Sequence, residues 1–536
     1  MRAGCASRKT CAPSGRSWTA CDGGARRPSR NEAMVITSAV AARYRVATAF
    51  GLGILLGLPV ALPAGWLWML LAATALGLFL RRHAAYRTEL LSLSLAMGGY
   101  LAAALFWLGL AVYRPPANGI GSTALICTAL LMLHTALYAI GYGMVRGLGP
   151  WLGVPRVASQ ALALVLGLPL AEGMRCSGIW AMPWAMQGDM QIDNPLLAPF
   201  YPLVGAPGVT ALFWMLAWSL GAVVADLHRP TRPAWLRRLR HSTAFWALLA
   251  WVAVAWPLRQ LEWTHALDAP RHVNLVHTQW PGDERYDPAV QTLGLMQLQD
   301  AASQFAGQLV IFPELFLVEP AEALHADYRQ QLLALLQQHR TEVILGAPLT
   351  AMDGVHRRQY NAALALDGTG APQWYLKERL LPFSEYYPEH WMIRWAYRFL
   401  YRYPMADLLA GPVVQPGISL AGVDLGLTIC SELAYPDVAA RQAQAAQLLV
   451  NISNDGWVPS RSYFRQALMI ARVRAAEANK PLVRANNVGF SAIIGTRGEL
   501  LQSWRGAPTV LRGAVLPRTG QTPYMRLRQW LATRVQ

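Results

Sequence analysis

Apolar residues crowd into one part of this chain, residues 46 to 258, and that crowding limits the fold more than any other feature. Hydrophobic residues make up 54% of the 536, the mean hydropathy is +0.24, and nearly all the excess lies in that part. A run of about 20 apolar residues crosses a bilayer. Seven such spans are expected, centred on Leu55, Ala72, Ala102, Leu131, Leu164, Phe213 and Leu249, with only Pro63-Ala64-Gly65 separating the first two. The 21 tryptophans and 19 tyrosines suit the belts where membrane meets water.

Arginine orients the spans. Arg81, Arg82, Arg87, Arg146, Arg156, Arg229, Arg232, Arg237, Arg238 and Arg240 fall in the loops after spans two, four and six, whereas the opposite loops hold Arg114 and Arg175. Ten against two predicts a cytoplasmic N-terminus, and seven crossings then put everything after Arg259 outside. The net charge of +17 does not point to nucleic acid: residues 271–517 hold 21 basic and 21 acidic residues, and a nucleic-acid footprint belongs on the folded domain. Residues 1–45 read as a basic, low-complexity leader, expected to be disordered and without the apolar core of a signal peptide, with Met34 a candidate start. Residues 259–270 read as a linker. Residues 518–536 read as a basic tail, lying on the surface through Met525, Leu527, Trp530 and Leu531.

Between the linker and the tail, short apolar runs alternate with amphipathic stretches. Strands are expected at Val273–His277, Leu309–Phe312, Glu342–Gly346, Ala362–Leu366, Asp424–Ile429, Leu448–Ile452, Leu482–Arg484 and Ser491–Gly495. Helices are expected at Pro288–Phe305, His325–His339 and Ser462–Asn479, the last with Phe464, Leu468, Ala471 and Ala475 at helical spacing. This alternation predicts an α/β core, with an antiparallel share where the later strands come in close pairs.

Chemistry-bearing residues sit where the strands end. Glu314 ends Gln308-Leu309-Val310-Ile311-Phe312-Pro313, and Lys377 ends Gln373-Trp374-Tyr375-Leu376. Cys430, with Ser431 and Glu432, follows another such run, and Asn454 with Asp455 a fourth. Lys377 is one of three lysines among 47 basic residues, and Cys430 is the only cysteine after Cys176. Lysine is a compact point charge with an adjustable pKa, where arginine is a fixed planar fork. A thiol, an amine and a carboxylate make a nucleophile, a charge stabiliser and a base. Each alone also reads as a packed small hydrophobe, a surface cation or a solvated turn. No His-x-x-x-His pair encloses a glutamate, no Cys-x-x-Cys occurs and no Gly-x-Gly-x-x-Gly follows a strand. Neither a metal nor a cofactor is expected.

At these residues the chain resembles the apolipoprotein N-acyltransferases, the membrane branch of the nitrilase or carbon–nitrogen hydrolase superfamily. The likeness rests on Phe312-Pro313-Glu314, on Lys377 through Pro388, on Ile429-Cys430-Ser431-Glu432, on Asn451 through Trp457 and on Arg484 through Ala492. Glu172-Gly173-Met174-Arg175 with Met182-Pro183-Trp184 carries it into the membrane half. The resemblance implies an α+β or α/β architecture, a bundle of about seven transmembrane helices followed by an αββα sandwich over residues 271–517. It implies Glu314 as general base, Lys377 as oxyanion stabiliser and Cys430 as nucleophile, with Glu385 and Glu432 in support. A phospholipid acyl ester would form a thioester on the cysteine, and the amino group of a diacylglyceryl-cysteine on an apolipoprotein would take the acyl chain. Lys377 beside Cys430 is expected to favour the thiolate. The setting implied is a bacterial inner membrane, the catalytic domain periplasmic.

Eight aromatics between Tyr386 and Pro404 suggest an arm in the membrane interface, with Tyr387, Trp391 and Trp395 as candidate lipid contacts. Three features depart from the family pattern: Ser431 where tyrosine is usual, Ser384 where glycine is usual, and no membrane helix after Thr522-Pro523-Tyr524-Met525. Two other readings stay open at this stage. One is an amidase or acyltransferase with another acceptor, as in conjugal transfer; the other is a membrane assembly protein without turnover.

Overall fold

The computed structural model describes residues 30–535 except 63, 84, 116–117, 179, 229–241, 281–283, 354–355, 370, 383, 387–390, 392–393 and 396–406. The chain forms two compact units, residues 1–47 and 48–536. The described part of the first, from Arg30, is helical.

Each of the seven predicted span centres falls in a helix: Arg30–Gly57, Gly65–Arg81, Tyr86–Ala104, Ile120–Trp151, Arg156–Arg175, Tyr201–Leu227 and Thr243–Leu258. Four stretches among the described residues are long and apolar enough to cross a membrane: Ala41–Val60, Ile120–Trp151, Arg156–Arg175 and Ala198–Leu227. Gly65–Arg81 and Thr243–Leu258 are apolar but shorter, and Tyr86–Ala104 carries Glu89. That carboxylate is fully buried and meets Arg146 at 3.0 Å and Gln160 at 2.8 Å. An ion pair inside a bilayer needs such partners.

The rest of the chain builds two six-stranded sheets. The first runs in the order β13-β2-β3-β4-β5-β6, from β2 (Arg271–His277), β3 (Leu309–Ile311), β4 (Glu342–Asp353), β5 (His356–Leu366), β6 (Gln373–Leu376) and β13 (Thr509–Val515). The second runs β12-β11-β10-β9-β8-β7, from β7 (Ile418–Leu420), β8 (Val423–Ile429), β9 (Leu448–Ser453), β10 (Leu482–Asn486), β11 (Ser491–Ile494) and β12 (Leu500–Trp504). β8, β9 and β10 are parallel, and β10 turns back antiparallel into β11. His265–Ala266, in the expected linker, pairs with Arg518–Thr519.

Alternation along the strands explains the layers, because successive side chains point to opposite faces. Leu425, Leu427 and Ile429 of β8, with Val450 and Ile452 of β9, face Val273, Leu275, Ile311 and Ile344 of the other sheet. Phe312, Val343 and Leu345 instead pack under the helices Pro288–Gln304 and Ala326–His339. The helices Pro436–Ala445 and Arg461–Ala478 cover the second sheet, and their apolar faces run on into the membrane helices as one core. This is the expected αββα sandwich, docked directly on the membrane bundle. The tail is not loose: Pro523–Val535 is a helix, and Tyr524 and Met525, one of them expected at the surface, are buried. Tyr524 lies against Gly205, whose φ is +62° and where a Cβ would come within 2.3 Å of the ring.

Candidate active site

Three strand ends bring the predicted residues together. Lys377 directly follows β6, Cys430 directly follows β8, and Glu314 stands just past β3. All three are buried. Lys377 Nζ meets Glu385 Oε1 at 2.8 Å and Glu314 Oε1 at 3.3 Å. Gly346 of β4 makes room for the glutamate: a Cβ there would come within 2.6 Å of the Glu314 Cα.

The carboxylates are held from every side. Glu314 Oε2 accepts the N–H of Asn454 at 2.9 Å, and Glu385 Oε2 accepts that of Leu381 at 2.7 Å. Asn361 Nδ2 donates to Glu314 Oε1 and Glu385 Oε1, each at 2.8 Å. Its carbonyl accepts the backbone N–H of Lys377 at 2.8 Å. Asn361 is therefore a central residue that reading the strand ends misses.

Glu432 joins the two loops that matter most. Its Oε1 accepts the N–H groups of Glu378 and Arg379 at 2.6 and 3.0 Å, just after Lys377. Its Oε2 accepts the Ile429 N–H at 2.8 Å and the Tyr375 hydroxyl at 3.1 Å. Burial pushes its pKa up to about 7, against these backbone donors and Lys377.

Cys430 opens a short 3₁₀ turn, Cys430–Ala434, with φ +53°. A non-glycine residue in the left-handed region costs about 1–3 kcal/mol and persists where its surroundings over-determine it. Burial pushes the thiol pKa well up, Glu314 adds to the rise, and Lys377 and Ser453 only partly offset it. Lys377 thus favours the thiolate, as expected, but desolvation and a facing carboxylate outweigh it and hold the thiol pKa above its ordinary value. Burial also pulls the Lys377 pKa down, but Glu385 and Glu314 more than restore it, leaving it well above the ordinary lysine value.

A cavity of about 10 Å³, near the room one water needs, lies beside the thiol. Leu433, Asp455, Tyr463, Ile470 and Arg484 line it from the sandwich, and Trp184 lines it from the segment between two membrane helices. Trp184 packs against Tyr463 and Trp107, centroids 4.8 and 5.5 Å apart. Buried Arg175 holds the segment by donating to the Trp184 carbonyl at 2.7 Å. Among the arm residues, Trp391 and Trp395 are exposed, and Tyr387 lies outside the described residues. No group of three or more histidine, cysteine or acidic side chains fit to hold a metal occurs among the described residues.

A buried Glu, Lys and Cys gathered at strand ends of a two-sheet sandwich define a protein of the nitrilase class, and the carbon–nitrogen hydrolase family matches residues 261–523. The chain is 31% identical over 386 residues to an apolipoprotein N-acyltransferase of Azotobacter vinelandii, covering 69% of this chain and 70% of that one. The Bordetella bronchiseptica apolipoprotein N-acyltransferase is 28% identical over 506 residues, covering 87% and 90%. That of Pseudomonas putida is 30% identical, covering 68% and 72%. The chain belongs to the apolipoprotein N-acyltransferase family, and it is an acyltransferase associated with a membrane.

Proposed function

We propose that this protein takes an acyl chain from a phospholipid onto Cys430 and passes it to the amino group of a diacylglyceryl-cysteine at the start of an apolipoprotein. The observation that carries the reading is the buried Glu314–Lys377–Glu385 cluster beside a thiol whose cavity is lined in part by Trp184, a residue of the membrane half. A site built partly from membrane-attached residues suits a lipid donor. The amino-group acceptor follows the names of the relatives.

In the first half-reaction Glu314 takes the thiol proton as sulfur attacks the ester carbonyl. Lys377 donates to the developing oxyanion. The C–O bond then breaks, and the lysophospholipid alkoxide leaves with the proton from Glu314. In the second half-reaction the acceptor amine attacks the thioester and gives its proton to Glu314. The C–S bond breaks, and the proton returns to the Cys430 sulfur. A thiol that is neutral at rest and charged only with its base in place avoids idle reaction in the buried site. Glu385 and Glu432 hold Lys377 and the nucleophile turn. Tyr387, Trp391 and Trp395 are lipid contacts in the interfacial arm.

The arginine asymmetry supports a multi-pass inner-membrane protein of seven crossings, with the N-terminus cytoplasmic and residues 271–517 periplasmic. The test is acyl label from phospholipid. Wild-type protein should carry hydroxylamine-sensitive label, and Cys430→Ala should carry none. Label that persists in Cys430→Ala would remove the thioester route.

A further inference from the structure

A buried arginine outside the Glu–Lys–Cys cluster joins the nucleophile turn to the membrane half. Arg474 lies on the helix Arg461–Ala478 and is 2% exposed. Its Nε donates to the carbonyl of Leu433 at 3.1 Å, inside the turn that Cys430 opens. One terminal nitrogen meets Asp189 Oδ1 at 3.0 Å, in the segment that carries Trp184. The other meets Glu477 on its own helix. Glu477 accepts the N–H of Ala206 at 2.7 Å, next to the kink at Gly205 in a membrane helix.

Stability alone does not account for this arrangement. Two carboxylates share one guanidinium in a fully buried place, and buried ion pairs of this kind are commonly no more stabilising than packed apolar side chains. What the guanidinium does supply is geometry: a rigid fork whose donors point in fixed, diverging directions. Here those directions reach the nucleophile turn, the segment whose Trp184 lines the thiol cavity and, through Glu477, a membrane helix. Leu433 and Trp184 both line that cavity, so Arg474 ties two of its walls together without touching the thiol.

We propose that Arg474 is a positioning residue for acyl transfer, fixing the Cys430 turn against the Trp184 segment so that the thiol stays aligned with Glu314 and Lys377. The proposal rests on the reading of Cys430 as nucleophile. Arg472 provides the comparison. It meets the same segment at Asp193 Oδ1, 2.7 Å away, and donates to the Gly498 carbonyl in the turn between β11 and β12 at 2.6 Å, and among the described residues no bond runs from it to the nucleophile turn.

The experiment compares Arg474→Lys and Arg472→Lys with wild type, as full-length protein in phospholipid–detergent micelles. Each rate is normalised to folded protein by thermal unfolding. Lysine keeps the charge between Asp189 and Glu477 but loses the fork. Arg474→Lys is expected to lower the kcat for acyl-enzyme formation about tenfold or more, leave KM for phospholipid unchanged and unfold close to the wild-type temperature. Arg472→Lys should match wild type. A wild-type kcat in Arg474→Lys, a loss accounted for by unfolded protein, or an equal loss in Arg472→Lys overturns the proposal.

A second arm needs no acyl donor. Alkylation of Cys430 by iodoacetamide, followed on its own peptide, should slow in Arg474→Lys because the thiol leaves its base and ammonium. An unchanged or faster rate overturns the coupling. Failure of wild type to take up acyl label, with alkylation slowed as expected, would count against the acyl-transfer reading alone.

Discussion

At Lys377 the ammonium has carboxylate partners at 2.8 and 3.3 Å and almost no contact with solvent. A guanidinium there would have to fit a larger planar group into a space shaped for one nitrogen, and would offer its donors in other directions. Lys377→Arg should therefore lower the acylation rate about 100-fold, the scale of one lost oxyanion donor, measured as single-turnover thioester formation. Near-normal turnover would mean that the ammonium takes no part in the chemistry. Lys377, Glu314 and Cys430 stood out in the sequence because each follows an apolar, strand-like run, and the family resemblance supplied their roles. Asn361 was not, although it bonds both acidic partners of the lysine. It lies within β5, opposite Pro348, and only the folded register brings it to Glu314. The direction of the thiol shift was also out of reach, since it depends on how fully the site excludes water.

The turn from β8 into Cys430–Ala434 and the loop after β6 behave as one element because Glu432 receives four hydrogen bonds from their two sides. Glutamine at this position would turn one acceptor into a donor aimed at a backbone N–H, of Ile429 or of Glu378 and Arg379, whichever way the amide is set. A buried donor facing a donor costs about 1–3 kcal/mol, enough to open the seam between nucleophile and ammonium. Glu432→Gln should lower single-turnover acylation by about tenfold or more while the protein stays folded; an unaltered rate would show that the seam is held elsewhere. The eight strands and three helices expected from their apolar runs all occur, because each run is buried in the fold, several of the strands on both faces. The strands not foreseen are the two-residue pair His265–Ala266 and Arg518–Thr519, the short β7, the wholly exposed edge strand β12, and β13, where Arg512-Gly513 breaks the apolar pattern. The helix Tyr86–Ala104 falls short of a simple membrane span for a related reason: Arg87 and Glu89 lower its hydropathy, and the Arg146 and Gln160 that satisfy Glu89 come from other helices.

For the molecule as a whole, the apolar runs gave the order of membrane half and sandwich, but nothing local in sequence shows that the two share one core. That seam is polar as well as apolar, and it makes stability depend on pH. Asp189 faces Arg474, Glu477 and, farther off, Glu172, so that one guanidinium is shared by more than one carboxylate. Burial, the larger cause, and Glu477 push the Asp189 pKa up from 3.8 to about 7, with Arg474 opposing. Its Oδ2 has no hydrogen-bond partner among the described residues and is free to carry the proton. The native state thus holds a proton more tightly than the unfolded chain does. The stability gained is fully present below about pH 4, is lost progressively as pH rises toward 7, and stays absent above that. Asp189→Asn keeps an acceptor for Arg474 and removes the surplus charge. The unfolding temperature of wild type relative to Asp189→Asn, measured in the same micelles, should fall as pH is raised from about 5 to about 8. Parallel profiles across that range would mean that Asp189 is ionised throughout and that Arg474 fully compensates both carboxylates.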